Sequence, residues 1–313
     1  MACGGRLKLS DFWLNHGDAT LFARPQWPIH QFVYLAWRVF LALYLLGWLI
    51  CRLAIGKDIG PFFVFLTDWT FTVLTLYSVS TCVSATYFTF ANGRNRFYVT
   101  RAVSHFGRTG QELGSHVTSQ TSGHELPPLP PSARPLEGTV RPRLPHYFKL
   151  VWLLFNICLT VDPIVTIVYW SLLASPGKSG LGLAMDVHFH ALNTVFIYAD
   201  LLLSAIPVGV VHFIYPFLYG ILYISFTLIY FWAGGMNPDS GGTAIYPRVL
   251  DWSRPGWTIL SCVLISLAVP LIHLIGYGGY RLRVFIHERF FSHQREENCI
   301  LTGNEETPEV QLP

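Results

Sequence analysis

Residues 185–204 read MDVHFHALNTVFIYADLLLS. Most of the run is apolar, and about 20 such residues suffice to cross a bilayer as a helix. Yet it carries Asp186, His188, His190, Asn193 and Asp200. Ionisable side chains at membrane depth are costly, because lipid offers them no partner. Wound as an α-helix at about 100° per residue, Asp186, His190, Asn193, Ile197, Asp200 and Ser204 fall within about 80° of one another. His188 points nearly opposite Asp186. Such a polar stripe must face a bundle interior or a wet cavity, so this stretch asks for other membrane helices around it.

The rest of the chain supplies them. Its 313 residues have a mean hydropathy of +0.41 and only 12% charged residues, against about 25% in soluble domains. Aromatic residues reach 15%, with ten Trp. Six stretches approach the length of a span, near 32–54, 61–89, 147–173, 186–206, 212–232 and 256–278. The expected fold is an all-α polytopic membrane bundle of six transmembrane helices. Pro163, Pro207, Pro216 and Pro270 lie in or beside these spans, where neighbouring helices can satisfy the freed carbonyls.

Charge placement gives the orientation. An even number of spans leaves both termini on one face, together with the long 90–146 connection. Fifteen Lys and Arg lie on that side and five on the other. The positive-inside rule makes the richer side cytoplasmic. The chain then divides into a cytoplasmic segment 1–30, spans one and two within 31–89, a cytoplasmic loop 90–146, spans three to six within 147–278 and a cytoplasmic tail 279–313. The loop contains SQTSGHELPPLPPSARPLEGTVRPRLP, a Pro-rich run without helical periodicity that reads as disordered. The beginning, MACGGRLKLSDFW, has no apolar core of a signal peptide, so none is expected to be cleaved. Six scattered Cys show no paired spacing, which argues against a disulfide framework or a zinc site.

Three readings of the 185–204 stripe stand side by side. It can cross-link helices by hydrogen bonds. Asp186-x-His188-x-His190 can ligate a metal only if the helix start unwinds, since residues two apart do not face one point; no metal or cofactor is expected. Or His190 can act as acid and base, with Asp186 or Asn193 holding its ring. An acid/base needs a partner. The second span, opening PFFVFLTDWTFTVLTLY, puts Thr67 four to six residues from its non-cytoplasmic end, and His190 lies about four residues from the same side. At 1.5 Å per residue both sit about 6–9 Å below one interface.

The motifs FLT (65–67), the D-x-H-x-H opening with an acidic residue ten positions after His190 (Asp200), and the loop IYPRVLDW (245–252) resemble the rolling stone family. They also resemble the more distant androgen-induced gene product family. The likeness runs from about residue 60 to 278, and GGMNPDSGGTAIYPRVLDW is particularly similar to rolling stone. The distant branch includes membrane hydrolases of fatty acid esters of hydroxy fatty acids, which use a threonine nucleophile and a histidine. Carried over by motif, that implies Thr67 and His190 as the catalytic pair, with Asp186, Asn193, Asp200 and Asp68 in support. This chain departs from that branch in the 90–146 insertion, in Asp68-Trp69 after the threonine, and in Asp186-Val187 where the hydrolases have Asn-His.

Three functions follow as expectations. The first is an intramembrane lipid-ester hydrolase, with Asn193, Trp69 or Tyr246 as oxyanion donors by their chemistry and the glycine-rich 234–242 loop over the entrance. The second, from the rolling stone resemblance, is a non-enzymatic protein of cell–cell fusion, as in myoblasts, or adhesion. The third is a transporter passing protons along Asp162, Asp200 and His190. The expected partners are membrane lipids, including a lipid ester substrate, and not nucleic acid. The plasma membrane and the endoplasmic reticulum are both compatible locations, and the oligomeric state is open.

Overall fold

The computed structural model describes residues 9–55, 60–91, 144–175 and 177–291. Most of the 90–146 connection and the end of the 279–313 tail lie outside the described residues. The described chain is helical, with only isolated bridges at Pro25–Ser204 and Tyr246–Leu250 outside the helices. In chain order α1 is Gln31–Ile55, α2 Leu66–Ala91, α3 His146–Val168, α4 Gly180–Val187, α5 Asn193–Leu203, α6 Ile214–Trp232 and α7 Pro255–Phe291.

Among the described residues five helices are long and apolar enough to cross a membrane: Gln31–Ile55, Leu66–Ala91, His146–Leu173, Val210–Trp232 and Pro255–Phe291. The stretch expected at 186–206 is helical from Gly180 to Leu203, but a π-turn at His188–Leu192 divides it into α4 and α5. Neither piece alone is long enough to cross. A second π-turn, Tyr169–Leu173, ends α3.

Two boundaries differ from the hydropathy reading. The second span begins at Leu66 rather than 61, because Gly60–Val64 forms a 3-10 turn. Thr67 is therefore the second residue of its helix, nearer the end than expected. The last helix continues to Phe291, through residues 279–291 that charge had assigned to the tail. Its extension has no helix breaker after Gly279. Its Arg283 is buried and donates to the carbonyls of Leu201, Ser204 and Ile206. The Leu201 carbonyl belongs to the last turn of α5, which lacks helical partners, and those of Ser204 and Ile206 follow just beyond it, where a cation is favourable.

The bundle is organised around α3, whose residues 151–165 are almost all buried. Tyr77 and Leu74 of α2 and Ile197 and Leu201 of α5 join Phe155 and Leu159 of α3 in one core. Within it lies an ion pair, Arg38 Nη1 to Asp200 Oδ1 at 2.7 Å, both side chains about fully enclosed. Tyr77 donates to Asp200, and Arg38 donates to Tyr34 and, at 3.3 Å, to Thr81. Side chains of α1 and α2 thus satisfy one buried carboxylate of α5. Asp200 is closed on these partners, whereas neither Asp162 oxygen has a hydrogen-bond partner among the described residues.

α2 is rich in hydroxyls, and most turn back on their own helix. Thr70, Thr72, Thr75 and Thr81 donate to the carbonyls of Leu66, Asp68, Phe71 and Tyr77, each four residues earlier. That is how threonine is accommodated in an apolar bundle. Thr67 cannot do the same within the helix: its i−4 residue, Phe63, precedes α2, and the Phe63 carbonyl takes the Trp69 indole N–H at 2.7 Å.

Candidate functional site

The Thr67 hydroxyl instead faces His190. Its Oγ1 lies 3.3 Å from Nε2 of the imidazole. The other ring nitrogen, Nδ1, is 3.1 Å from the backbone carbonyl oxygen of Asp186. A carbonyl only accepts, so the neutral ring carries its proton on Nδ1 and presents the Nε2 lone pair to Thr67. The threonine hydroxyl is then the donor. An alcohol placed against an imidazole lone pair in this way is an arrangement that can support general-base chemistry.

The π-turn explains both this geometry and a departure from the helical-wheel reading. Its extra residue rotates everything after it by about 100° relative to Asp186 and His190. Asn193 therefore does not hold the imidazole. It is buried one turn further in, where its Oδ1 accepts from Thr166 Oγ1 at 3.3 Å and from the Thr194 N–H at 2.8 Å. Nor does the Asp186 carboxylate hold the ring: its backbone does. The carboxylate pairs with Lys178 at 2.8 Å. Burial alone would lower the Lys178 pKa, but hydrogen bonds to Asp186 and Tyr169 more than offset it, leaving the ammonium above the usual lysine range. His188 faces another way, stacked on Trp48 of α1 with ring centroids 3.7 Å apart.

Several neighbours were not legible in the sequence. The Tyr169 ring, at the π-turn of α3, stacks on His190 at 3.5 Å and 14°. The adjacent Trp170 donates its indole N–H to the His190 carbonyl at 3.1 Å. Together they fix the imidazole plane and its backbone. Arg52 donates two hydrogen bonds to Asp68, at 3.1 and 3.0 Å, so the carboxylate beside Thr67 is neutralised rather than available as a base. Nothing in the spacing of Arg52, Tyr169 or Lys178 singles them out. They meet because α1, α2, α3 and α4 all terminate at this end of the bundle.

Thr67 and His190 open onto a cavity of about 500 Å³. Phe65, Val165, Met185, Phe189, Ile224 and Ile265 give it apolar walls, while Arg52, Asp68, Lys178, Asp186 and Asp239 supply charged ones. Asn193 and Asp200 do not line it. Part of the wall comes from the α6–α7 connection, through Asn237, Asp239, Ile245 and Tyr246. That connection is well tied. Asn237 donates to the carbonyls of Ala244 and Ile245 at 3.0 and 2.9 Å and accepts from the Asp239 and Ser240 N–H groups. Gly234 and Gly241, with φ of 77° and 68°, make the left-handed turns it needs. Among the described residues no cluster of three or more His, Cys, Asp or Glu could hold a metal ion, and Cys51, Cys82, Cys158 and Cys262 are free.

Several long apolar helices packed in one bundle mark an integral, multi-pass membrane protein. The family model for Protein rolling stone matches residues 137–298, more than half of the chain, and the protein belongs to the rolling stone family. It is 26% identical over 287 residues to Protein rolling stone of Drosophila melanogaster, covering 91% of this chain and 90% of that one. No solved structure matches it. The family match spans His190 and Tyr246, while Thr67 lies before it.

Proposed function

We propose that this member of the rolling stone family is an intramembrane hydrolase of lipid esters, with Thr67 as nucleophile and His190 as general base and acid. The observation that carries the reading is the 3.3 Å approach of Thr67 Oγ1 to a histidine nitrogen whose lone pair is free, because the other nitrogen is bound to the Asp186 carbonyl. The likeness of FLT and D-x-H-x-H to the threonine hydrolases of the androgen-induced gene product family points the same way.

In the first step Thr67 Oγ1 attacks the ester carbonyl carbon while its proton passes to His190 Nε2. The tetrahedral oxyanion collapses, the bond to the alcohol oxygen breaks, and His190 returns the proton to the departing alkoxide. Water, deprotonated by the same nitrogen, then releases the acid from acyl-Thr67. Asp186, through its backbone, and Tyr169, through its ring, keep the imidazole in the reactive tautomer and plane. Arg52–Asp68 and Lys178–Asp186 give the cavity a paired, polar wall, and the apolar walls suit acyl chains.

The accompanying topology has six spans with both termini cytoplasmic. The additional span is the Gly180–Leu203 run, about 36 Å long at helical rise, and the fifteen-to-five basic asymmetry supplies the orientation. The catalytic end then opens to the non-cytoplasmic side, at the plasma membrane or the endoplasmic reticulum. An epitope inserted within residues 110–140 is expected to be protected in sealed, intact cells; exposure outside would reverse the orientation.

Purified protein tests the chemistry. Wild type is expected to hydrolyse long-chain lipid esters in mixed micelles, and His190→Ala to lose the rate by about 10²–10⁴-fold, the usual contribution of a positioned acid/base. A fold check by thermal melting accompanies it. Equal rates for the two proteins would sink the reading, and absence of any hydrolysis would favour a fusion or adhesion role.

A further inference from the structure

Of the three oxyanion donors that the sequence suggests near Thr67, hydrogen bonds set two aside. The Trp69 indole N–H is spent on the Phe63 carbonyl, at 2.7 Å. Asn193 is buried among Thr166 and Thr194, away from the cavity wall. Tyr246 remains, and it lines the cavity together with Thr67 and His190.

The hydroxyl of Tyr246 is held in a particular way. Its oxygen accepts the N–H of Leu66, the first residue of α2, at 2.9 Å. That N–H is one of those a helix start leaves without an internal partner. The bond anchors the phenol next to the residue that precedes Thr67, on the wall of the same cavity. Tyr223, its other neighbour, donates its own proton to the Val64 carbonyl at 2.8 Å. Thr67 likewise gives its proton to His190. The Tyr223 and Thr67 protons are thus directed elsewhere, and the Tyr246 O–H is left to turn towards a substrate oxygen in the cavity. Burial also raises its pKa above the ordinary phenol value, so the proton stays on at neutral pH. The Tyr246 backbone is fixed by a tight turn, its carbonyl accepting from Val249 and Leu250 at 2.9 and 2.7 Å.

We propose that Tyr246 is a catalytic residue, the oxyanion donor for the acyl transfer at Thr67. This rests on the hydrolase reading above. When the Thr67 oxygen bonds to the carbonyl carbon, the carbonyl π pair moves onto its oxygen, and Tyr246 donates a hydrogen bond to that anion without transferring its proton. As the carbonyl re-forms and the alkoxide leaves with the proton held by His190, the bond weakens again. The Leu66 N–H, at the positive end of α2, polarises the phenol through its oxygen and fixes its direction. The second half-reaction, with water as nucleophile, uses the same donor.

The test compares wild type with Tyr246→Phe, which keeps the ring and removes only the hydroxyl. Three readouts are taken on the purified protein: kcat and KM for a long-chain lipid ester, the Ki of a long-chain trifluoromethyl ketone, and the Kd of the matching unreactive ether. The ketone adds Thr67 to give a tetrahedral anion, whereas the ether only fills the cavity. Tyr246→Phe is expected to lower kcat by about 10²–10³-fold, as loss of one oxyanion donor does elsewhere. KM and the ether Kd should stay within about twofold, and ketone binding should weaken roughly in step with kcat/KM. Unchanged kcat, or equal weakening of ketone and ether, would overturn the proposal by making Tyr246 a bystander or a packing residue. Wild type without Thr67-dependent hydrolysis is a separate result that removes the hydrolase reading and this proposal together.

Discussion

Thr67→Ala is expected to leave less than about one thousandth of the wild-type rate of lipid-ester hydrolysis, because loss of the nucleophile removes the covalent route entirely. Thr67→Val keeps the β-branched shape and should fall as far, which separates the hydroxyl from packing. Thr67→Ser keeps the hydroxyl and should retain measurable turnover, reduced because the side chain gains rotameric freedom. Asp68→Asn should cost much less than Thr67→Ala, since the Asp68 carboxylate is occupied by Arg52 rather than by the nucleophile. Steady-state kinetics on the four purified variants decides this. Comparable rates in Thr67→Val and wild type would exclude Thr67 from the chemistry, whatever His190 does.

The second large effect is on stability. Asp200→Ala should destabilise the bundle by about 3–5 kcal/mol, the range for breaking a buried pair by removing one member. Arg38 would be left buried without its counter-charge, and Tyr77 without its acceptor. The double change Arg38→Met with Asp200→Leu should cost less than Asp200→Ala alone, since it leaves no orphan charge. Reversible unfolding in mixed micelles reads both. An Asp200→Ala protein within about 0.5 kcal/mol of wild type would mean that the pair is not a structural tie.

The same residues show what a sequence reveals and what it hides. Helical content and most spans are legible because hydropathy and length alone set them. The start of α2 was misplaced by a few residues because Gly60-Pro61 and the following Phe residues are as apolar in a 3-10 turn as in a helix. Continuation of α7 past residue 278 is not legible because its charges look like a tail, whereas in the fold Arg283 turns inward onto backbone carbonyls. Helical phase is legible only while the helix stays regular. The π-turn at His188–Leu192 leaves no compositional mark, yet it separates Asp186 and His190 from Asn193 and Asp200. One expected stripe thus becomes two environments: a cavity wall, and a buried tie to α1 and α2. The approach of Thr67 to His190 is legible because depth and motif coincide. Tyr169, Lys178 and Arg52 could not, because their roles arise where several helix ends meet.

The central claim is that Thr67 carries the acyl group, and trapping it is the most direct measurement. Purified protein is mixed with a long-chain p-nitrophenyl ester, quenched in acid within the first turnovers, digested and examined by mass spectrometry. An acyl adduct is expected on the peptide containing Thr67, absent from Thr67→Val and accumulating no further in His190→Ala. Ester turnover with the adduct on another residue, or undiminished turnover with Thr67 unmodified in the face of Thr67→Val, would contradict it.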